Sequence, residues 1–127
     1  MKILLVASMM LMLLMTPTRL VAQKSTAQKS ETFAAFFLRF KTAVARDDRE
    51  AVASMTKLPF LLESRELDRA GFIKRYRQLF DRKVKRCFAN GKTIRDGDSF
   101  SLFCGETIFL FGKVEGQYRF LEIGVND

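Results

Sequence analysis

The chain has 127 residues and a formal net charge of +8, with two cysteines, no histidine and no tryptophan. This length fits one domain with a modest hydrophobic core. Without histidine, a Cys–His or Ser–His catalytic pair is excluded, and two cysteines alone are a poor ligand set for zinc.

The N-terminal segment has the order of a secretory signal peptide. Lys2 precedes the thirteen-residue segment 3–15, which is apolar except for Ser8, and a polar stretch then leads to Ala22. A segment of thirteen residues is too short for a membrane span, which needs about 20 apolar residues. We therefore predict cleavage near Ala22 and a periplasmic or extracellular chain without a stable membrane span; an uncleaved anchor is the alternative. Loss of Lys2 and Arg19 lowers the basic count from 22 to 20 against 14 acids, so the net charge becomes +6.

After the predicted cleavage site, residues 23–31 are polar and predict a flexible lead-in, and residues 32–127 predict a single domain. The domain begins with a helix that Ser30 or Thr32 can cap. Large apolar side chains recur there at i, i+3, i+4, i+7 and i+11, the spacing of one helix face. They are Phe33, Phe36, Phe37, Phe40 and Val44.

The next segment predicts a second, shorter helix. Asp47 and Glu50 have the spacing of a capping box, with Asp47 as the capping residue. Val52 and Met55 form its inward face, and Pro59 ends it. The segment "PFLLES" is a short extended piece, and residues 61–66 are too short for a full hairpin before the third helix.

A third helix is marked by Asp68 as N-cap, with Leu67 and Phe72 spaced as a hydrophobic staple. Its apolar stripe comprises Phe72, Tyr76, Leu79 and Phe80, and it is expected to end near Arg82.

From Lys83 onward the pattern alternates, which is typical of strands. The segments are "VKRCF", "SFSLFC", "TIFLFGK" and "YRFLEIGV", with turns at Asn90–Gly91, Asp96–Gly97 and Glu115–Gly116. Because "IFLFG" is apolar on both faces, it is expected at the centre of the sheet. The order predicts an α+β fold with three N-terminal helices packed on one face of an antiparallel C-terminal sheet.

The two cysteines, Cys87 and Cys104, form an even pair in a chain predicted to be exported. An oxidising compartment favours a disulfide between them. The alternative is a pair of buried thiols, because the sequence does not supply the distance between the two Cα atoms.

Together, the Phe-rich helix, "RDDREAVASMTKLPF", "LDRAGFIKRYRQLF" and the meander ending in "YRFLEIGV" resemble the NTF2-like (cystatin-like α+β) superfamily. More closely, they resemble small exported bacterial proteins of that type. The resemblance implies a curved sheet wrapped around the helices as a cone, whose cavity can bind small apolar molecules. Some members are isomerases or dehydratases with an Asp, His or Tyr inside the cone. This chain departs from them in having no histidine and only two tyrosines.

Basic residues are dense in residues 73–86, where seven of fourteen are Lys or Arg. On the third helix their side chains fill the whole arc outside the apolar stripe, which is typical of a solvated helix face. If a strand follows near Arg82, then Lys83 and Lys85 share one strand face and join Arg75 and Arg82 in a basic patch. This patch is the candidate site for an acidic partner.

Polar groups that could face a cavity are Tyr76, Glu106 and Glu122. The favoured interpretation involves no chemistry: Tyr76 is a core-edge residue, and Glu106 and Glu122 occupy solvent-facing strand positions. The sequence predicts no catalytic residue, no cofactor and no metal site. It favours an exported, non-enzymatic binding domain whose basic surface engages an acidic protein or envelope component, and export argues against nucleic acid. The alternative is a cone that binds or isomerises a small apolar ligand.

Overall fold

The computed structural model of the protein describes residues 30–125. The predicted signal peptide and residues 23–29 of the predicted lead-in lie outside the described residues. The described part has four helices and six strands: α1 Phe33–Ala45, α2 Arg49–Ser54, β1 Phe60–Leu62, β2 Arg65–Leu67, α3 Arg69–Leu79, α4 Arg82–Asn90, β3 Ile94–Asp96, β4 Ser99–Cys104, β5 Thr107–Val114 and β6 Gln117–Val125. None of the helices within residues 30–125 has the length and apolarity needed to cross a bilayer.

Thr32, one of the two predicted caps, is the N-cap of helix α1, and its hydroxyl accepts a hydrogen bond from the Ala35 amide at 3.2 Å. All five residues of its apolar stripe are buried. The stripe lies against the sheet, because the Phe33 ring stacks on Phe100 with centroids 3.6 Å apart and the Phe40 ring meets Phe111 edge-on at 5.2 Å.

Helix α2 begins one residue later than predicted. Asp48, not Asp47, is its N-cap and accepts from the Ala51 amide at 3.1 Å. Asp47 instead has a φ of 51°, so it belongs to the tight turn that follows α1. The predicted inward residues Val52 and Met55 are buried.

A two-stranded hairpin separates α2 from α3, so the expectation that this segment is too short for one was wrong. Phe60 pairs with Leu67 and Leu62 with Arg65. The connecting residues Glu63 and Ser64 have φ values of 48° and 64°. Two such residues are the loop of a type I′ turn, and this loop lets two three-residue strands pair within eight residues.

Helix α3 is capped as predicted by Asp68, whose carboxylate accepts from the Gly71 amide at 2.7 Å. It ends at Leu79, and a fourth helix, α4, follows where the sequence predicted the strand "VKRCF" and the turn Asn90–Gly91. Both of those predictions were wrong. Asp81 caps the new helix by accepting from the Val84 amide at 2.9 Å.

The main sheet is antiparallel in the order β3–β4–β5–β6. The turn at Glu115–Gly116 is confirmed, whereas the turn predicted at Asp96–Gly97 lies one residue later, at Gly97 and Asp98, because Asp96 still pairs with Ser99. Strand β5 is central as predicted, since it pairs with both β4 and β6. After α2, Thr56 forms an isolated parallel bridge with Phe120 and partly covers the edge of β6. The α+β class is therefore confirmed, with four helices instead of three; the cone stays a prediction.

Phenylalanine fills the interior between the helices and the sheet. Eleven of the 13 phenylalanines are buried; Phe100 is half-buried and Phe103 is exposed. Phe109, Phe111 and Phe120 project from the sheet into this layer, where their rings contact those of the helices. The opposite face of the sheet carries Phe103 and its cross-strand partner Ile108.

Candidate functional site

Helix α4 has one side in the core and one side in water. Phe88 is buried and Val84 and Cys87 are half-buried, all three packed against the hydrophobic core. At 100° per residue, the exposed side chains Arg82, Lys83 and Arg86 fall within a single arc of about 100° on the other side of the helix. We call these three residues the α4 basic face.

The side chains of the α4 basic face are unpaired within the described part of the chain. The ion pairs found among residues 30–125 involve Arg39, Arg69 and Lys85 as the cations. None of the side-chain hydrogen bonds in the same residues has a donor on Arg82, Lys83 or Arg86. Three positive charges therefore project from one helix face, and none has a fixed partner among residues 30–125.

Lys85 lies on a different side of α4 from Lys83, because the two are 200° apart on a helix. Its Nζ contacts the Asp47 carboxylate at 2.8 Å. The hydrogen bond from Lys85 lowers the pKa of Asp47 below its usual range. Lys85 thus ties α4 to the turn between α1 and α2, and the predicted pairing of Lys83 with Lys85 on one strand face was wrong.

Arg75 lies in a third setting, on α3. It is half-buried, donates to the Gln78 side-chain oxygen at 3.1 Å, and lines a groove of about 410 Å³ beside the β1–β2 hairpin. Of the four residues in the predicted patch, the structure keeps Arg82 and Lys83 together and adds Arg86. The partner-binding role of these residues stays a prediction.

Charge is unevenly distributed along the described chain. Residues 68–90, which include α3 and α4, carry eight basic and two acidic side chains, a net charge of +6. The remainder of residues 30–125 carries ten basic and eleven acidic side chains, a net charge of −1. Both acids of the basic segment, Asp68 and Asp81, accept hydrogen bonds from helix N-termini. The positive charge of the domain is thus concentrated in one 23-residue segment.

A disulfide joins α4 to the end of β4. Cys87 and Cys104 are bonded, with Cα atoms 5.7 Å apart. The bridge lies on a groove of about 210 Å³ between α4 and the turn that follows β4. The groove is lined by Lys83, Val84, Cys87, Phe103, Cys104 and Gly105. Lys83, one residue of the α4 basic face, therefore lines the same groove as the disulfide.

The predicted cavity groups are not gathered around a cavity. Tyr76 is fully buried, and its hydroxyl donates to the Val44 carbonyl at 3.4 Å. Burial raises the pKa of Tyr76 well above its usual value, and the Asp47 carboxylate raises it further. Glu106 lies exposed in the β4–β5 turn, and Glu122 is exposed on β6. These two carboxylates therefore contact water, not an interior site.

Four grooves stand out on the described surface, and core phenylalanines line none of the four. The widest, about 550 Å³, lies beside Tyr118 and Arg119, where Arg39 holds Glu31 through two hydrogen bonds of 2.7 Å. Within residues 30–125 there is no group of three or more His, Cys, Asp or Glu side chains that could hold a metal ion.

Comparison with known proteins found no family model, no curated protein and no solved structure that matches this chain. The resemblance to the NTF2-like superfamily accordingly stays a prediction.

Proposed function

We propose that this protein is an exported, non-enzymatic binding domain that engages an acidic protein or envelope component through the α4 basic face. The observation that carries the proposal is the concentration of positive charge in residues 68–90, with Arg82, Lys83 and Arg86 exposed and outside any ion pair among the described residues. A surface of one charge sign attracts partners of the opposite sign and raises their association rate.

Export is supported by two features. The sequence predicts a signal peptide, and the bonded pair Cys87–Cys104 is compatible with an oxidising compartment, where disulfides form and persist. Such compartments contain acidic proteins and anionic envelope polymers.

The alternative, a cone that binds or isomerises a small apolar ligand, has less support. It needs a cavity lined by Phe and Leu with an inward polar group. In the described residues the phenylalanine rings pack on one another, Tyr76 is bound to a backbone carbonyl, and Glu106 and Glu122 contact water.

The test is to titrate the protein with poly-L-glutamate, a soluble acidic polymer, and to measure the heat of binding by calorimetry. We expect the variant R82E/K83E/R86E to lose binding. The matched control K57E/R65E/K113E makes the same change in net charge at three other exposed positions. It should retain most of the affinity for poly-L-glutamate. Thermal unfolding of both variants shows that the fold is intact. Equal losses in the two variants, or no binding by the unaltered protein, would reject the α4 basic face as the site.

A further inference from the structure

The disulfide lies at the edge of the core, next to solvent. Cys87 and Cys104 are both half-buried, and both line the groove of about 210 Å³ between α4 and the turn that follows β4. The chain has no other cysteine. This bond can therefore be exchanged only with a thiol from outside the chain, and the groove gives such a thiol a route to it.

The two sulfur atoms have different surroundings. The Phe103 carbonyl oxygen lies 3.3 Å from the Cys87 sulfur, and its partial negative charge repels a thiolate that approaches on that side. Cys104 is followed by the exposed Gly105. Apart from Gly105 and its two neighbours in the chain, no atom lies within 4 Å of the point that a Cβ of Gly105 would occupy. The approach from the turn thus favours Cys104.

Lys83 is the charged residue among those that line the groove. It precedes Cys87 by four residues in α4, so the two side chains are neighbours on one side of the helix. A nearby positive charge stabilises a thiolate, and a disulfide breaks faster when the departing sulfur is the more stable thiolate. This arrangement makes Cys87 the sulfur that departs and Cys104 the one that is attacked.

We propose that Cys104 is a thiol–disulfide exchange site for thiols of low molecular weight, with Lys83 as the residue that stabilises the departing Cys87 thiolate. In the first step an external thiolate attacks the Cys104 sulfur. A new S–S bond joins it to Cys104, while the bond between Cys104 and Cys87 breaks. The Cys87 thiolate then takes a proton from water, and its thiol can donate to the Phe103 carbonyl.

A second external thiolate completes the reduction. It attacks the sulfur of the attached thiol, so that the two external thiols leave as their own disulfide and Cys104 leaves as a thiolate that takes a proton. Two electrons thus pass from the external thiols to the protein. The exchange opens the only disulfide that the chain can form and separates the end of β4 from α4.

The test treats the folded protein with 2-mercaptoethanol, stops the reaction with N-ethylmaleimide at successive times and follows it by mass spectrometry. Trypsin places the two cysteines in separate peptides, residues 87–92 and 96–113, so the attached thiol can be assigned. Lys83→Gln is the variant. Arg86→Gln is the matched control, because it removes the same charge from the same helix at a side chain 100° away from Cys87. Urea unfolding of both variants shows that the fold is intact.

We expect a rate proportional to the concentration of 2-mercaptoethanol, with the attached thiol on Cys104 and the maleimide on Cys87. The interaction of one unit charge with a partly formed thiolate across water corresponds to roughly a two- to fivefold change in rate. Lys83→Gln should therefore react more slowly by about this factor, and Arg86→Gln should react at nearly the rate of the unaltered protein.

Three results would overturn the inference. A rate independent of the thiol concentration would mean that the bond reacts only after the chain unfolds. Attachment chiefly to Cys87 would reverse the assignment of the two sulfurs, and equal slowing in the two variants would remove the role of Lys83. None of these results bears on the proposed function, because binding of poly-L-glutamate is measured on the oxidised protein.

Discussion

Removal of the disulfide between Cys87 and Cys104 tests both the fold and the position of α4. The two cysteines are separated by 17 residues in sequence. Cross-linking a loop of this size restricts the unfolded chain, and the chain-entropy relation gives a stabilisation of about 3 kcal/mol at 25 °C. A domain of this size is stable by about 5–15 kcal/mol in total, so the expected loss is a large part of the whole.

Urea unfolding measures this loss in two ways. The variant C87A/C104A removes the bridge and both sulfur atoms, whereas reductant applied to the unaltered protein removes the bridge alone. With a slope of about 1–3 kcal/mol/M for a small protein, either change should lower the urea midpoint by about 1–3 M. The slope should also rise, because an unfolded chain without the cross-link exposes more surface.

Mass measurement without reductant provides the control, since the bonded chain is lighter by two hydrogen atoms. Coincident unfolding curves for the oxidised and reduced protein would refute the reasoning, as would a mass equal to that of the free dithiol. Loss of stability in C87A/C104A but not on reduction would assign the effect to lost packing of the sulfur atoms.

Two further predictions concern α4 and the core. Because Asp81 is the N-cap of α4, Asp81→Ala should lower the free energy of unfolding in urea by about 1 kcal/mol. The control Asp96→Ala, at a hairpin, leaves the α4 cap in place. Equal and negligible losses in the two variants would contradict a helix over residues 82–90. Burial raises the pKa of Tyr76, so the folded state favours the neutral hydroxyl more than the unfolded state does. The neutral hydroxyl therefore adds to the free energy of unfolding at pH values below the unfolded pKa of about 10, and this stabilisation is lost as the pH rises above that value. In Tyr76→Phe, the free energy of unfolding should therefore depend less on pH in the alkaline range, and Tyr118→Phe is the matched control. If Tyr76→Phe leaves this alkaline dependence unchanged, the Tyr76 hydroxyl is not buried.

The features predictable from sequence are those with local causes. The stripe of α1 and its cap at Thr32 follow from helical spacing and from one side-chain hydrogen bond, both of which lie within a few residues. The Asp68 cap of α3 is of the same kind. The central place of β5 follows from apolar residues on both of its faces, which only an internal strand can bury.

Helix α4 was not predicted because the pattern of residues 84–88, "VKRCF", fits both the two-residue period of a strand and the 3.6-residue period of a helix. In a strand, Val84, Arg86 and Phe88 share a face; in a helix, Val84, Cys87 and Phe88 do. The helix is more favourable because it turns every apolar side chain of the segment toward the core, including the cysteine that reaches Cys104. Asp81, three residues before Val84, was an available signal of the helix start.

Other features depend on contacts between residues distant in sequence. The burial of Tyr76 against Val44 joins residues 32 positions apart, and the ion pair of Lys85 with Asp47 joins residues 38 apart. Neither follows from spacing along one element. Because Lys85 is paired with Asp47 of the same chain, it does not belong to the α4 basic face.

The change from strand to helix alters which charges belong to the candidate site. A strand would place Lys83 with Lys85 and turn Arg86 to the opposite face, whereas the helix places Arg86 with Arg82 and Lys83 and leaves Lys85 to Asp47. The disulfide then joins the helix that carries this trio to the end of β4. Because the bond between Cys87 and Cys104 holds α4, and with it the α4 basic face, against the sheet, the oxidising compartment expected after export is also the one in which the proposed binding surface is held in place.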